Sequence, residues 1–160
     1  MKNKIEIHFD EFSDLSELNE SDREVVAGSM DAARNAYAPY SGFKVGACVR
    51  MENGQILKGN NRENAAFPSG SCAEQTVITY AGANYPKVHI KTLAISAIKN
   101  SDFTLEPIPP CGNCRQIIAE EEDRSGEKIR IILYGSSKIQ VIEGIAGLLP
   151  LKFNKEKLGG

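Results

Sequence analysis

The sequence predicts an α/β protein in which a mixed sheet is covered by helices. Three observations carry that expectation: an amphipathic stretch early in the chain, an alternating strand that runs into an Asn-Gly turn, and two nearly continuous apolar runs with a helical pattern between them.

Ser21 followed by Glu24 matches a capping box, and Val26, Met30, Ala33 and Tyr37 continue at helical spacing as far as Pro39, which predicts a first helix. In residues 43–51, Phe43, Val45, Ala47, Val49 and Met51 alternate with their neighbours, as in a strand with one buried face. Asn53-Gly54 then signals a two-residue hairpin into a second strand over 55–60. A helix is expected over 72–83. Residues 90–98 and 129–134 are almost wholly apolar and suit strands covered on both faces. Between them a Pro-rich loop, Pro107-Ile108-Pro109-Pro110, leads into a helix over 111–122 that closes near Gly126, and a short strand and helix follow.

With 160 residues, 41% of them hydrophobic, the chain is expected to form one domain over 1–160, with an N-terminal extension at 1–20 and a polar, flexible tail at 154–160. Nineteen basic residues against 21 acidic ones, with no Lys/Arg block, give no broad positive field for a phosphate backbone, so a nucleic-acid partner is not expected. The chain shows no signal-peptide core and no apolar run of membrane length. It is therefore expected in the cytoplasm, with its four cysteines reduced.

Cys111 and Cys114 lie three residues apart at a helix start, on one face and near the positive end of the helix dipole, which favours thiolate. Alone, that spacing serves redox, structural-zinc and catalytic-zinc sites alike. Ser71-Cys72-Ala73-Glu74 marks a second helix start. Glu74 reads either as the capping partner of Ser71 or, since side chains of a first turn lean toward the N-terminus, as a carboxylate beside Cys72. Three thiolates with an unligated carboxylate nearby match an open catalytic zinc site, and Cys-Ala-Glu followed by Pro-Cys-x-x-Cys follows a signature of zinc deaminases. His8 and His89 fall outside the pattern, and Cys48 reads as a packed thiol.

On these residues the chain resembles the small, three-cysteine class of cytidine deaminases. The likeness runs over residues 25–153, through Ala38-Pro39-Tyr40-Ser41-Gly42-Phe43-Lys44-Val45-Gly46-Ala47, Asn61-Arg62-Glu63-Asn64-Ala65, Cys72-Ala73-Glu74, Pro110-Cys111-Gly112-Asn113-Cys114-Arg115-Gln116 and Leu148-Leu149-Pro150. The resemblance implies a three-layer α/β/α fold with a mixed five-stranded sheet, and zinc held by Cys72, Cys111 and Cys114. It further implies Glu74 as the proton carrier, a small nucleoside substrate, and a homotetramer whose subunits share active sites. Asn61 and Glu63 would then bind the ribose hydroxyls, Phe43 would line the pocket, Ala73 would offer its backbone to the pyrimidine, and Phe153 would stack on the base.

Two positions depart from the class. Gln75 stands where Arg is common, and Phe67 stands where a Tyr from a neighbouring subunit is common at the pocket wall. Arg62 and Arg115 are candidates to supply the missing cation, which would require a guanidinium nitrogen within about 4 Å of the Cys72 or Cys111 sulfur. The activity implied is hydrolysis of cytidine or deoxycytidine to uridine or deoxyuridine with release of ammonia. Deamination of a modified nucleoside such as blasticidin S, a structural or redox zinc module, and a nucleic-acid editing deaminase are the alternatives.

Overall fold

Asn19 starts the first helix. Its Oδ1 accepts from the Asp22 amide at 2.8 Å, and the helix α1 runs over Glu20–Arg34. The Ser21–Glu24 pair does not cap it: both residues already lie inside the helix, and the Glu24 carboxylate instead pairs with Arg50 on the sheet. The computed structural model describes residues 1–159 and contains the strands β1 (Asp10–Phe12), β2 (Lys44–Met51), β3 (Ile56–Asn60), β4 (Ile90–Lys99), β5 (Asp102–Phe103), β6 (Arg130–Tyr134) and β7 (Ile139–Glu143). The other long helices are α2 (Ala73–Asn84) and α3 (Gly112–Ser125), the latter ended by Gly126 in the left-handed region at φ 74°.

The sheet has the order β1-β7-β6-β4-β2-β3, with β5 hairpinned onto β4, and only the β4–β6 pair is parallel. It is mixed, as expected, but seven-stranded where five strands were expected. The additions are β1, an edge strand inside the N-terminal extension that pairs with β7, and the two-residue β5. Strands this short carry no readable periodicity. After β7 the expected helix is a single 3-10 turn, Ile145–Gly147, and another such turn, Lys155–Leu158, lies in the polar tail.

Helix α1 covers one face of the sheet, where Val25 and Val26 pack with Cys48, Ala94 and Ile132. Helices α2 and α3 cover the other, where Val77, Ile78 and Ile118 meet Val49, Leu93, Ile95 and Ile131. This sandwich explains why the alternation in β2 does not mark a solvent face: Val49 and its neighbour Cys48 are both fully buried, one in each layer. Cys48 is thus the packed thiol expected, with burial pushing its pKa up to about 12. The β2–β3 connection spans four residues rather than two. Asn53 holds it by accepting from the Gln55 amide at 3.1 Å, and Gly54 takes φ 85°. No described helix is long and apolar enough to cross a membrane.

Candidate active site

The backbone at Cys72 is extended, at φ −74° and ψ 158°, and Cys72 is the N-cap of α2, which makes Glu74 the second helical residue. A capping box requires Glu at the third, so Ser71 and Glu74 cannot form one. Ser71 instead hydrogen-bonds Thr76 at 3.1 Å, and α2 has no side-chain cap at all. Glu74 is left without a capping role and only 4% exposed, and no Lys or Arg pairs with it among the described residues. Burial holds its carboxyl above the usual range, and the charge on Cys72 pushes the same way. The position of α2 depends on Gly59 of β3: a Cβ there would stand 2.8 Å from the Val77 amide nitrogen and 2.9 Å from the Ala73 carbonyl oxygen. Only glycine lets this first turn lie so close to the sheet.

Helix α3 begins in the same manner. Cys111 is its extended N-cap without a side-chain cap hydrogen bond, and Cys114, in the first turn, is fully buried. The two helix starts converge so that the sulfurs of Cys72, Cys111 and Cys114 lie within 4.8 Å of one another, with Cys72 Sγ to Cys111 Sγ at 3.8 Å. Sulfurs about 2.3 Å from a tetrahedral ion stand about 3.8 Å apart, so the donor set fits zinc with one position left open. The uncapped first-turn amides of both helices add partial positive charge beside the thiolates. A hydrogen bond from Cys114 lowers the Cys72 pKa to about 6 against the opposing effect of burial. Cys114, as the donor to that thiolate and a buried group, is pushed up.

Cys72, Cys111 and Glu74 line one end of a cavity of about 530 Å³, within the size range of small-molecule sites, and Cys114 is buried outside its lining. Phe43, Asn61, Glu63 and Ala73 all line it, and so does Phe67 of the same chain. Asn61 is committed within the fold, its amide accepting from Val45 N at 2.7 Å and donating to the Phe43 carbonyl at 2.9 Å. Glu63 accepts from the Tyr40 amide at 2.8 Å and from the Ser41 hydroxyl, which with the amides holds its carboxyl below the usual range. Paired backbone hydrogen bonds between Arg62 and Ser71, at 2.9 and 3.0 Å, fasten this segment to the residue before Cys72. Ile95, Ile108 and Pro109 also line the cavity. Ile95 read only as strand core and the prolines only as a loop, since nothing in their local pattern distinguishes a pocket wall from a packed one.

One expectation is corrected. Arg62 does not bring charge to the sulfurs: its guanidinium lies over the Tyr37 ring, 5.2 Å from the centroid. Arg115 donates to the carbonyls of Pro110 and Leu148 instead. Phe153 is 57% exposed and does not line the cavity of its own chain. Its backbone carbonyl accepts from Gln116 at 2.8 Å.

The family model for the cytidine and deoxycytidylate deaminase zinc-binding region matches residues 19–125, a span that contains Cys72, Glu74, Cys111 and Cys114. The chain belongs to this family. It is 38% identical to a cytidine deaminase of Sporosarcina psychrophila over 134 residues, 84% of this chain and 92% of that one. It is also 38% identical to a cytidine deaminase of Halalkalibacterium halodurans over 96 residues, 60% of this chain and 68% of the relative. Among solved structures, the cytidine deaminase of Burkholderia pseudomallei superposes with a TM-score of 0.68 at 30% identity, covering 81% of this chain and 97% of that one. The chain is thus an enzyme of the cytidine deaminase family with that family's α/β fold. The family match ends at residue 125, before the strands β6 and β7 and the C-terminal segment that carries Phe153.

Proposed function

We propose that this chain is a single-domain, zinc-dependent hydrolase that converts cytidine and deoxycytidine to uridine and deoxyuridine with release of ammonia, in cytoplasmic pyrimidine salvage. The observation that carries the reading is the convergence of three cysteine sulfurs on one point beside a buried, uncapped Glu74 at the inner end of a nucleoside-sized cavity.

In this reading Cys72, Cys111 and Cys114 hold the metal. When bound, zinc supplies Lewis acidity at neutral pH that makes water a strong enough nucleophile. Glu74 accepts a proton from the water that attacks C4 of the pyrimidine and hands it to N3; it then takes the second proton from the hydroxyl now on C4 and delivers it to the amine as the C4–N bond breaks. The backbone at Ala73 orients the base. Glu63 and the free valences of Asn61 hold the sugar, and Phe43 forms the wall beside it. Phe67 is 79% exposed, and Phe153 is 57% exposed and absent from the lining of its own cavity, exposure that supports a homotetramer in which neighbouring subunits cover such rings. The balance of 19 basic and 21 acidic residues supports a small substrate rather than nucleic acid.

The test is ammonia release across cytidine, deoxycytidine, cytosine, adenosine and blasticidin S. Cytidine and deoxycytidine should react far faster than free cytosine. Release from blasticidin S alone, or from none of the five, would overturn the assignment.

A further inference from the structure

Arg115 directly follows the cysteine at the third position of α3, and neither nitrogen it uses is directed at a sulfur. Nε donates to the Pro110 carbonyl at 2.8 Å and Nη1 to the Leu148 carbonyl at 2.7 Å. Pro110 is buried and immediately precedes Cys111, so its carbonyl oxygen needs a partner inside the protein. Among the described residues, the Arg115 bond is the one hydrogen bond made by the backbone of residues 107–110. The helix start it braces has no side-chain cap. Upstream, the Thr104 and Leu105 carbonyls accept from the Ser136 and Ser137 amides at 2.9 and 3.0 Å, so between residue 105 and the first helical bond at Cys111 this guanidinium is the hydrogen-bonded tie of the backbone.

The second arm reaches 33 residues along the chain, to the last turn before Leu149 and Pro150. Gln116, the next residue, makes a parallel connection to the Phe153 carbonyl at 2.8 Å. Adjacent side chains at the start of α3 thus strap down the C-terminal segment, while one of them also fixes the backbone before Cys111. A planar guanidinium with a fixed fork can hold two carbonyls in one geometry, which an ammonium on a flexible stem cannot.

We propose that Arg115 is a positioning residue: it holds the Cys111–Cys114 turn in the arrangement that retains the metal, and through the same side chain couples metal retention to the order of the segment after Leu148. The proposal rests on the zinc reading of the cysteine group. Groups that orient metal ligands commonly change metal affinity by about 10–100-fold when removed.

The experiment measures zinc content and the rate of zinc transfer to a chromogenic chelator for the parent chain, Arg115→Ala and Arg115→Lys, with circular dichroism on each. The parent should hold about one zinc and release it slowly. Arg115→Ala should release it about 10-fold faster or more with its helix and sheet signal intact, and Arg115→Lys should fall between the two. Limited proteolysis of the parent supplies a readout that does not depend on any variant folding: stripping zinc should speed cleavage after Leu148 while the sheet stays protected. A parent without zinc overturns the metal reading and this proposal together. A zinc-loaded parent whose C-terminal segment is equally protected with and without metal, or an Arg115→Ala variant that releases zinc at the parent rate, overturns the proposal alone.

Discussion

The two ends of the cavity are built on different principles. At the inner end, Ile95 is almost wholly buried and Glu74 is only 4% exposed; Cys114, which does not line the cavity, is fully buried, while Cys72 is half-buried and Cys111 is exposed. They stand on two helix starts and a central strand packed in the main core. At the outer end, Ser41 and Glu63 are exposed or half-exposed and Phe67 is 79% exposed, all on loops, turns and extended segments held by local hydrogen bonds. The inner end is fixed by the fold before any ligand arrives. The outer end is left to be completed, by substrate and by neighbouring subunits in the proposed tetramer. In the proposed reaction, the chemistry that tolerates little displacement falls to the buried end, and the recognition that must admit and release a nucleoside falls to the exposed end.

The contrast predicts where each kind of damage appears. Glu74→Gln should keep the metal and the fold yet lose turnover by about 10²–10⁴-fold or more, since a proton carrier has been removed without changing the packing. Steady-state rates read beside thermal unfolding check this; turnover that survives would remove Glu74 from the chemistry. Ile95→Ala should cost about 2–5 kcal/mol of unfolding free energy, as a buried side chain in a close-packed sheet. Denaturant titration measures it, and a cost near zero would mean that the inner wall is not rigid.

At the outer end the expected losses are smaller and fall on binding. Glu63→Ala should lower kcat/KM for cytidine about 10–100-fold, the scale of a hydrogen bond to a charged group, while leaving free cytosine unaffected and narrowing the gap between them. Phe67→Ala, at an exposed position, should change stability by no more than about 0.5 kcal/mol while raising KM. The pH response is smaller still. The Ser41 hydroxyl and the neighbouring amides lower the Glu63 pKa from its ordinary 4.5, so their contribution is complete above that value and is lost only as pH falls through the lowered one. Hydrogen exchange at the Tyr40 and Ser41 amides should therefore be pH-independent in its protection above 4.5 and lose that protection in stronger acid. Loss of protection at neutral pH would show that Glu63 does not hold the loop.

The same division governs what can be read without a structure. The inner end was legible because helix starts, cysteine spacing and long apolar strands leave local signatures, and the expected sheet and helices lie within a few residues of α2, α3, β4 and β6. The choice between two roles for Glu74 was not legible, because Ser71-x-x-Glu74 fits a capping box until the helix is seen to start one residue later, at the Cys72 cap. Asn19 was missed as the cap of α1 because the Ser21–Glu24 pair imitates the same motif two residues on. The orientations of Arg62 and Arg115 depend on distant partners, the Tyr37 ring and the Leu148 carbonyl, which no local pattern announces. The strands β1 and β5 exist by pairing with β7 and β4 rather than by any periodicity of their own.

The central claim is that Cys72, Cys111 and Cys114 form one open zinc site with Glu74 beside it and outside the ligand set. Metal analysis of the parent chain, Glu74→Gln and Cys111→Ser, purified side by side, tests it most directly. The account predicts about one zinc per chain in the first two and well below one in the third, three thiolates being the ligand set. A parent stoichiometry near zero, or Cys111→Ser with full metal and full activity, contradicts it.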